Sequence, residues 1–245
     1  IGPFTEWREE YASKMLKGIQ IYTRDSFTNR YLKNELKLNN ANIKKSSDLA
    51  FLKLPGEEKF NKFDLLNQFS LQENEYVTLV PSGLGMNKGY YTDDSSSYVE
   101  NWIKMIEYII NEKRLKVVLL PHVLRPERVS DKLAIEEILR NMEKKYLKDI
   151  LYINDDFFLP LKSRIILGNS KFTITGRMHP AVSTFKMGKP SISISYSVKY
   201  KGVLGEGLDC AELIVNPTYD LWINKEVYKM VIEKIEYITK NYNYL

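Results

Sequence analysis

From residue 76 onward the chain keeps one rhythm, in which short runs of β-branched and apolar residues alternate with longer amphipathic stretches. Strand-like runs fall at 76–80, 116–120, 150–153, 171–175, 191–195 and 212–215, with helical stretches near 97–113, 131–146, 160–168, 180–187, 200–206 and 222–241. Alternation of this kind predicts an α/β fold, a parallel sheet with helices on both faces. In such sheets ligands collect along the carboxyl edge of the strands. The residues that follow the runs are Pro81-Ser82-Gly83, Pro121-His122, Asn154-Asp155-Asp156, Gly176-Arg177-Met178-His179 and Tyr196-Ser197-Val198-Lys199. Polar and ionisable side chains are thereby expected on one rim.

The amino-terminal part is less regular. Phe4, Trp7, Tyr11, Met15 and Leu16 recur at helical spacing behind Thr5 and before Gly18, predicting a helix over 4–17 whose aromatic stripe packs into a core. A strand is expected at 19–23, a helix from Ser26 to about residue 36 behind the Arg24-Asp25-Ser26 cap, and a strand at 42–45. Residues 53–74, with Pro55-Gly56 and no clear period, read as a linker. The expected division is 1–74 for an amino-terminal lobe and linker, and 75–245 for a carboxyl-terminal lobe.

At 245 residues the chain is long enough for one large or two small domains. Its apolar runs are too short to span a bilayer. Thirty-six basic against thirty-one acidic residues leave a net charge of +5, which favours anionic ligands but is too mild and dispersed to suggest nucleic acid. A single cysteine, Cys210, excludes an internal disulfide and points to a reducing, cytoplasmic setting. With only His122 and His179 as histidines, neither a multi-histidine nor a thiolate metal site can be assembled, and metal catalysis is not expected. Pro81-Ser82-Gly83-Leu84-Gly85 departs from a nucleophile elbow and reads as a turn after a strand. There is no Walker A loop, and Gly83-x-Gly85 lacks the third glycine of a dinucleotide fingerprint.

The tract Phe172-Thr173-Ile174-Thr175-Gly176-Arg177-Met178-His179-Pro180-Ala181 carries the most chemistry. Pro180 is expected at the first helical position, which leaves Arg177 and His179 in the preceding loop. A helix start carries unpaired N–H groups and a positive dipole end, so cations just before it gain nothing from the helix. Two readings stay open: an anionic ligand holds them there, or His179 caps the helix and Arg177 pairs with a surface carboxylate. Lys199 follows His179 by twenty positions, on the exit of the next strand, so a βαβ unit can bring both to the same rim. Arg24 also stands at a strand exit, and Asp48, before an apolar triplet, is expected to cap or pair locally.

Taken together, several tracts resemble the polysaccharide pyruvyl transferase family. They are Ile1-Gly2-Pro3-Phe4, Thr23-Arg24-Asp25-Ser26, Asp48-Leu49-Ala50-Phe51, Val118-Leu119-Leu120-Pro121-His122, Thr175-Gly176-Arg177-Met178-His179, and Gly188-Lys189-Pro190 leading to Ser195-Tyr196-Ser197-Val198-Lys199. Two departures are Gly176, where the family more often has serine, and Pro180, where a small residue is common. The resemblance implies two Rossmann-like lobes facing across a cleft, as in GT-B glycosyltransferases, with the first lobe incomplete in this chain. It also implies transfer of an enolpyruvyl group from phosphoenolpyruvate to a sugar, closing a pyruvyl ketal with release of phosphate and needing no cofactor beyond the donor substrate. Arg24 and Arg177 would bind the donor, since a guanidinium fork meets carboxylate and phosphate at two points. His179 would be the acid/base, Lys199 would stabilise the leaving phosphate, and His122 would contribute to the rim. The partners implied are phosphoenolpyruvate and a glycan or lipid-linked glycan, with room for peripheral membrane association. The amphipathic stretch 222–244 is expected either to pack across the first lobe or to join a second subunit. Two rivals remain: a GT-B glycosyltransferase using a nucleotide sugar, and a non-catalytic module that binds anionic glycans.

Overall fold

A computed structural model describes residues 4–38, 42–155 and 160–242. The opening Ile1-Gly2-Pro3, Asp156 and Tyr244 lie outside the described residues. By contact the chain divides into two units, Ile1–Leu52 with Ser197–Glu212, and Lys53–Tyr196 with Leu213–Leu245.

The larger unit is built on a six-stranded parallel sheet, and every strand expected from the sequence is present. Its strands are β3 (Tyr76–Val80), β4 (Lys116–Leu119), β5 (Ile150–Tyr152), β6 (Thr173–Thr175), β7 (Ser191–Ile194) and β8 (Ile214–Val215), after β1 and β2 of the smaller unit. They lie in the order β5-β4-β3-β6-β7-β8. Counted from β3 as the first strand, this is 3-2-1-4-5-6, the doubly wound Rossmann order. Register runs from Tyr76↔Lys116 on one side of β3 and Thr78↔Thr173 on the other. The strand order reverses between β3 and β6, so the crevice at their carboxyl ends is where such a fold takes ligands.

All five residues of β3 are buried because both faces of the sheet are covered. Val77 and Leu79 face one side, packing with Trp102, Met105 and Ile106 of α4 (Ser95–Lys113) and Val231 and Ile235 of α9 (Val227–Asn241). Tyr76 and Val80, offset by one position, face the other, with Leu65 and Leu66 of α3 (Lys62–Gln68) and Ile166 and Leu167 of α6 (Pro160–Asn169). Period-2 alternation thus sorts neighbouring side chains into two cores. In α4 the apolar residues recur every three or four positions, and Asp94 caps the helix by accepting from the Ser96 amide at 3.0 Å.

Two expectations change here. The stretch 53–74 is not a linker, because α3 buries Leu65 and Leu66, Leu71 joins the same core, and Glu57 pairs with Arg164 and Lys186. The stretch 222–241 is two helices, α8 (Tyr219–Ile223) and α9, broken at Lys225 in a left-handed conformation. Its apolar stripe, Val227, Val231, Ile235 and Ile238, is spent on the core of its own unit.

In the smaller unit β1 (Ile21–Thr23) and β2 (Ile43–Lys45) pair in parallel, with Ile21↔Ile43. One small cluster of Ile21, Tyr31, Leu32, Leu36, Leu38 and Ile43 forms its core. The helix over 26–36 is present as α2 (Ser26–Arg30) and one wider turn (Tyr31–Glu35), capped by Asp25. The stripe over 4–16 is core only at its ends: Phe4 and Leu16 pack against that cluster, while, against expectation, the middle of α1 (Trp7–Leu16) is not buried, with Trp7 66%, Tyr11 59% and Met15 55% exposed. Residues 197–212 join this unit because Glu206 pairs with Arg30 and meets the Ser26 hydroxyl, while Lys201 lies over the Phe27 ring at 5.7 Å. Spatial neighbours rather than sequence continuity set this boundary, which falls at 52/53, 196/197 and 212/213 rather than near 74.

Candidate functional site

Asp131 organises the carboxyl edge of the large sheet. It opens α5 (Asp131–Asn141), is fully buried, and draws three loops onto one carboxylate. Its Oδ1 accepts from the Gly83 amide after β3 at 2.8 Å, and from Arg177 after β6 through Nε at 3.1 Å and a terminal nitrogen at 2.7 Å. Its Oδ2 accepts from the His122 and Val123 amides after β4 at 3.0 and 2.8 Å. The loops after the three adjacent central strands are therefore tied to a single point. Close approach also explains Gly83: a Cβ there would lie 2.1 Å from the Ser130 carbonyl oxygen. The Pro81–Gly85 tract is thus the turn that the sequence suggested, tightened by a neighbouring loop.

Arg177 is 9% exposed, and its terminal nitrogen also donates to the Val129 carbonyl at 3.0 Å. Burial opposes its charge, but the Asp131 carboxylate more than offsets this and holds the guanidinium pKa above its ordinary value. Of the two readings open for Arg177, the carboxylate partner is present, and it is buried rather than on the surface. The helix α7 (Met178–Lys186) starts two residues earlier than expected. Pro180 is tolerated inside because first-turn amides need no intrahelical partner. Arg177 is therefore the N-cap residue and His179 sits, exposed, in the first turn. The Thr175 hydroxyl ties the junction by accepting from the Arg177 amide and donating to its carbonyl.

His122 is close enough to His179 and Arg177 to feel both charges. Crowding by protein atoms lowers its imidazole pKa first; Asp131 pulls the other way, and His179 and Arg177 add to the lowering, to about 4. The residue keeps an exposed edge, which softens the burial contribution but leaves its direction. His122 is consequently neutral at pH 7 and can accept or donate a hydrogen bond without adding charge. Gly176, where serine is common in the family the tracts resemble, has a local reason: the Tyr91 hydroxyl donates to its carbonyl and would lie 2.9 Å from a Cβ. The structure thus ties His122 and Arg177 to Asp131, with His179 close enough to His122 to act on its charge.

Arg24 and Lys199 belong to the smaller unit. Arg24 follows β1 and binds Asp48 at 2.7 Å, while Asp48 also caps the turn Leu49–Phe51 through the Ala50 amide at 2.9 Å. The expected local role of Asp48 is what is seen. At the carboxyl ends of β1 and β2 a cavity of about 540 Å³ is lined by residues including Thr23, Arg24, Thr28, Ser46 and Asp48. Lys199, half-buried, stands at the start of the helical segment that packs on α2.

Asp131 was missed by sequence reasoning. Ser130-Asp131 before an apolar periodic run reads as an ordinary helix start, and nothing in the local pattern tells a first-turn aspartate in solvent from one buried under three loops. The nearest signal was its distance of nine positions from His122 on the same strand exit. Among the described residues no cluster of three His, Cys, Asp or Glu side chains is arranged to hold a metal, and no helix is long and apolar enough to cross a membrane.

The Rossmann-ordered parallel sheet carries its ionisable residues on the carboxyl edge, and the likeness to solved structures shows an α/β fold of the GT-B-like class. Similar folds are UDP-GlcNAc 2-epimerases from Methanocaldococcus jannaschii, in complex with UDP-GlcNAc and UDP (TM-score 0.54, 16% identity, 86% of this chain and 53% of that one), and from Neisseria meningitidis, bound to UDP-GlcNAc (0.54, 12%, 96% and 56%). A third, from Rickettsia bellii, matches at 0.53 and 15% identity over 92% of this chain and 54% of that one. The chain spans about half the length of these structures. Residues 1–198 match the polysaccharide pyruvyl transferase family, and the chain belongs to that family. No curated protein matches it.

Proposed function

We propose that this chain transfers an enolpyruvyl group from phosphoenolpyruvate to a sugar of a polysaccharide or its precursor, closing a pyruvyl ketal and releasing phosphate. The observation that supports it most is the pairing of Arg177 and His122 with Asp131, and His179 near His122, at the strand-order reversal of a family member's sheet. The donor carries a carboxylate and a phosphate, and fixed cations are what such a dianion needs. Arg24 and the uncommitted edge of Arg177 serve that purpose. Protonation of the donor methylene leaves an electron-poor carbon, and the first acceptor hydroxyl adds there as it loses its proton. The second hydroxyl then displaces phosphate and closes the ring. His179, exposed in the first turn of α7, is the acid/base, and Lys199 stabilises the departing phosphate. No cofactor beyond the donor substrate is required. A lipid-linked acceptor would bring a cytoplasmic enzyme to the membrane surface, and the acceptor identity would follow from which glycan supports turnover.

The test is phosphate release from phosphoenolpyruvate in the presence of glycan acceptors. His179→Ala should lower turnover at least a thousandfold with little change in melting temperature, because the side chain is exposed. Near-normal turnover would remove His179 from the mechanism. Arg24→Ala should raise the donor KM about tenfold while kcat changes less, the pattern of lost ground-state binding. An unchanged KM would show that Arg24 serves only Asp48.

A further inference from the structure

Asp131 is fully buried, yet it occupies the first position of a helix, where an aspartate is usually solvated. Five N–H donors reach it, from Gly83, His122, Val123 and twice from Arg177. A carboxylate offers roughly four lone-pair positions, so both oxygens are saturated by the protein. Its own amide donates to the Val123 carbonyl at 2.7 Å, which closes the 123–131 loop back on the same residue. The consequence falls on Arg177. Nε and one terminal nitrogen form the fork edge that most readily grips an anion, and that edge is turned inward and fixed. A flexible arginine becomes a rigid one before any ligand arrives, so its remaining edge faces one direction only.

We infer that Asp131 is a positioning residue for Arg177, setting the orientation in which that guanidinium meets the anionic donor while touching no substrate itself. The inference rests on the donor reading given above. A merely structural ion pair would hold the loops together and affect stability alone. A positioning pair makes the two residues act as one unit on the donor, and the non-additivity of their substitutions measures this.

Steady-state phosphate release from phosphoenolpyruvate, with melting temperatures alongside, is compared for Asp131→Asn, Arg177→Gln and the double variant. Each single substitution should lower kcat/KM for the donor tenfold or more, and the double variant should be no worse than Arg177→Gln by more than twofold. Losses that multiply in the double variant overturn the inference. So does an Asp131→Asn protein that melts earlier but keeps kcat/KM within twofold of the parent. Should Asp131→Asn not fold, Arg177→Lys takes its place: it keeps a cation against Asp131 without the planar fork, and should lose at least tenfold in kcat/KM. Parental kcat/KM in that variant overturns the inference as well. A separate measurement needs no donor. In the parent protein the Arg177 Nε–H, assigned by the loss of its signal in Arg177→Gln, should be slow to exchange in arginine side-chain NMR spectra; in folded Asp131→Asn that protection should vanish. Absence of any phosphate release by the parent would defeat the proposed reaction and leave Asp131 to be judged by this resonance. Rapid exchange of Arg177 Nε–H in the parent, or full protection without Asp131, would defeat the positioning role.

Discussion

Arg24 and Arg177 both follow a parallel strand and both bind an aspartate, yet their anchoring differs with the unit that carries them. Arg177 sits at the edge of a six-stranded sheet covered on both faces, and its partner is fully buried and bonded to three loops. Arg24 sits on a two-stranded sheet with one small apolar cluster, is 41% exposed, and its partner Asp48 caps a single short turn. Depth of core decides how a rim side chain is held. In the larger unit its position is inherited from packing beneath; in the smaller unit it comes from a local pair. Breaking a buried pair from one side leaves an uncompensated charge and costs about 3–5 kcal/mol, whereas a half-exposed pair is worth about 0–1 kcal/mol.

The sharpest way to break this comparison is to attack the packing beneath the larger rim. Trp222 is fully buried, with ring centroids 5.0 Å from Tyr98 and 5.6 Å from Tyr91. Tyr98 in turn accepts from the Ser82 amide at 2.8 Å and donates to its carbonyl at 3.0 Å, and Tyr91 donates to the Gly176 carbonyl. This aromatic cluster supports the loops after β3 and β6. Trp222→Ala should cost about 3–5 kcal/mol in denaturant unfolding and lower activity through those loops. A cost below about 1 kcal/mol would show that the rim does not depend on its core.

Next in size is Gly83→Ala. The added methyl meets the Ser130 carbonyl, which is backbone and cannot rotate away. Overpacking of this kind costs typically about 1–3 kcal/mol, and the Gly83 amide would move off Asp131 with it. The expected signature is a loss of stability together with a loss of donor kcat/KM. Stability lost with unchanged kcat/KM would detach Gly83 from the site.

Much of the larger unit was legible because each strand run carried its own period and each helix its own cap, as Asp94 before α4 illustrates. The family tracts also led to His122, Arg177 and His179. What the residues could not disclose was set at long range. Asp131 looks like any first-turn aspartate until the loop from His122 to Ser130 folds over it, and residues 197–212 look like a continuation of the larger unit until Glu206 meets Arg30. The stripe on α1 misled for a related reason. Helical spacing shows that an apolar face exists, not that the unit has enough sheet to bury it.

A smaller effect separates the rims by pH. The His122 pKa is held down to about 4, below the ordinary value of about 6.5 that the unfolded chain has. Between those values the unfolded state binds more protons than the folded one, so stability is complete above about pH 6.5 and falls as pH drops towards 4. Burial is the largest cause, and the charges that act beside it, Asp131 raising the value and His179 and Arg177 lowering it, all belong to the larger unit. His122→Asn should flatten this part of the profile, read as denaturant midpoints from pH 7.5 to 4. An unchanged slope would mean that the imidazole is solvated and ionises normally.

The smallest expected effect tests the other side of the contrast. Trp7 and Tyr11 stack edge to face with ring centroids 6.3 Å apart and Arg8 lies over the Trp7 ring at 5.5 Å, but both aromatic side chains project from α1 into solvent. An exposed tryptophan of this kind contributes little to folding, and surface substitutions away from special features usually stay within about 0.5 kcal/mol. Trp7→Ser should therefore leave the unfolding midpoint almost where it was, in opposition to Trp222→Ala. A cost above about 2 kcal/mol would mean that the α1 face is covered in solution, and the smaller unit would then have a core of the same kind as the larger one.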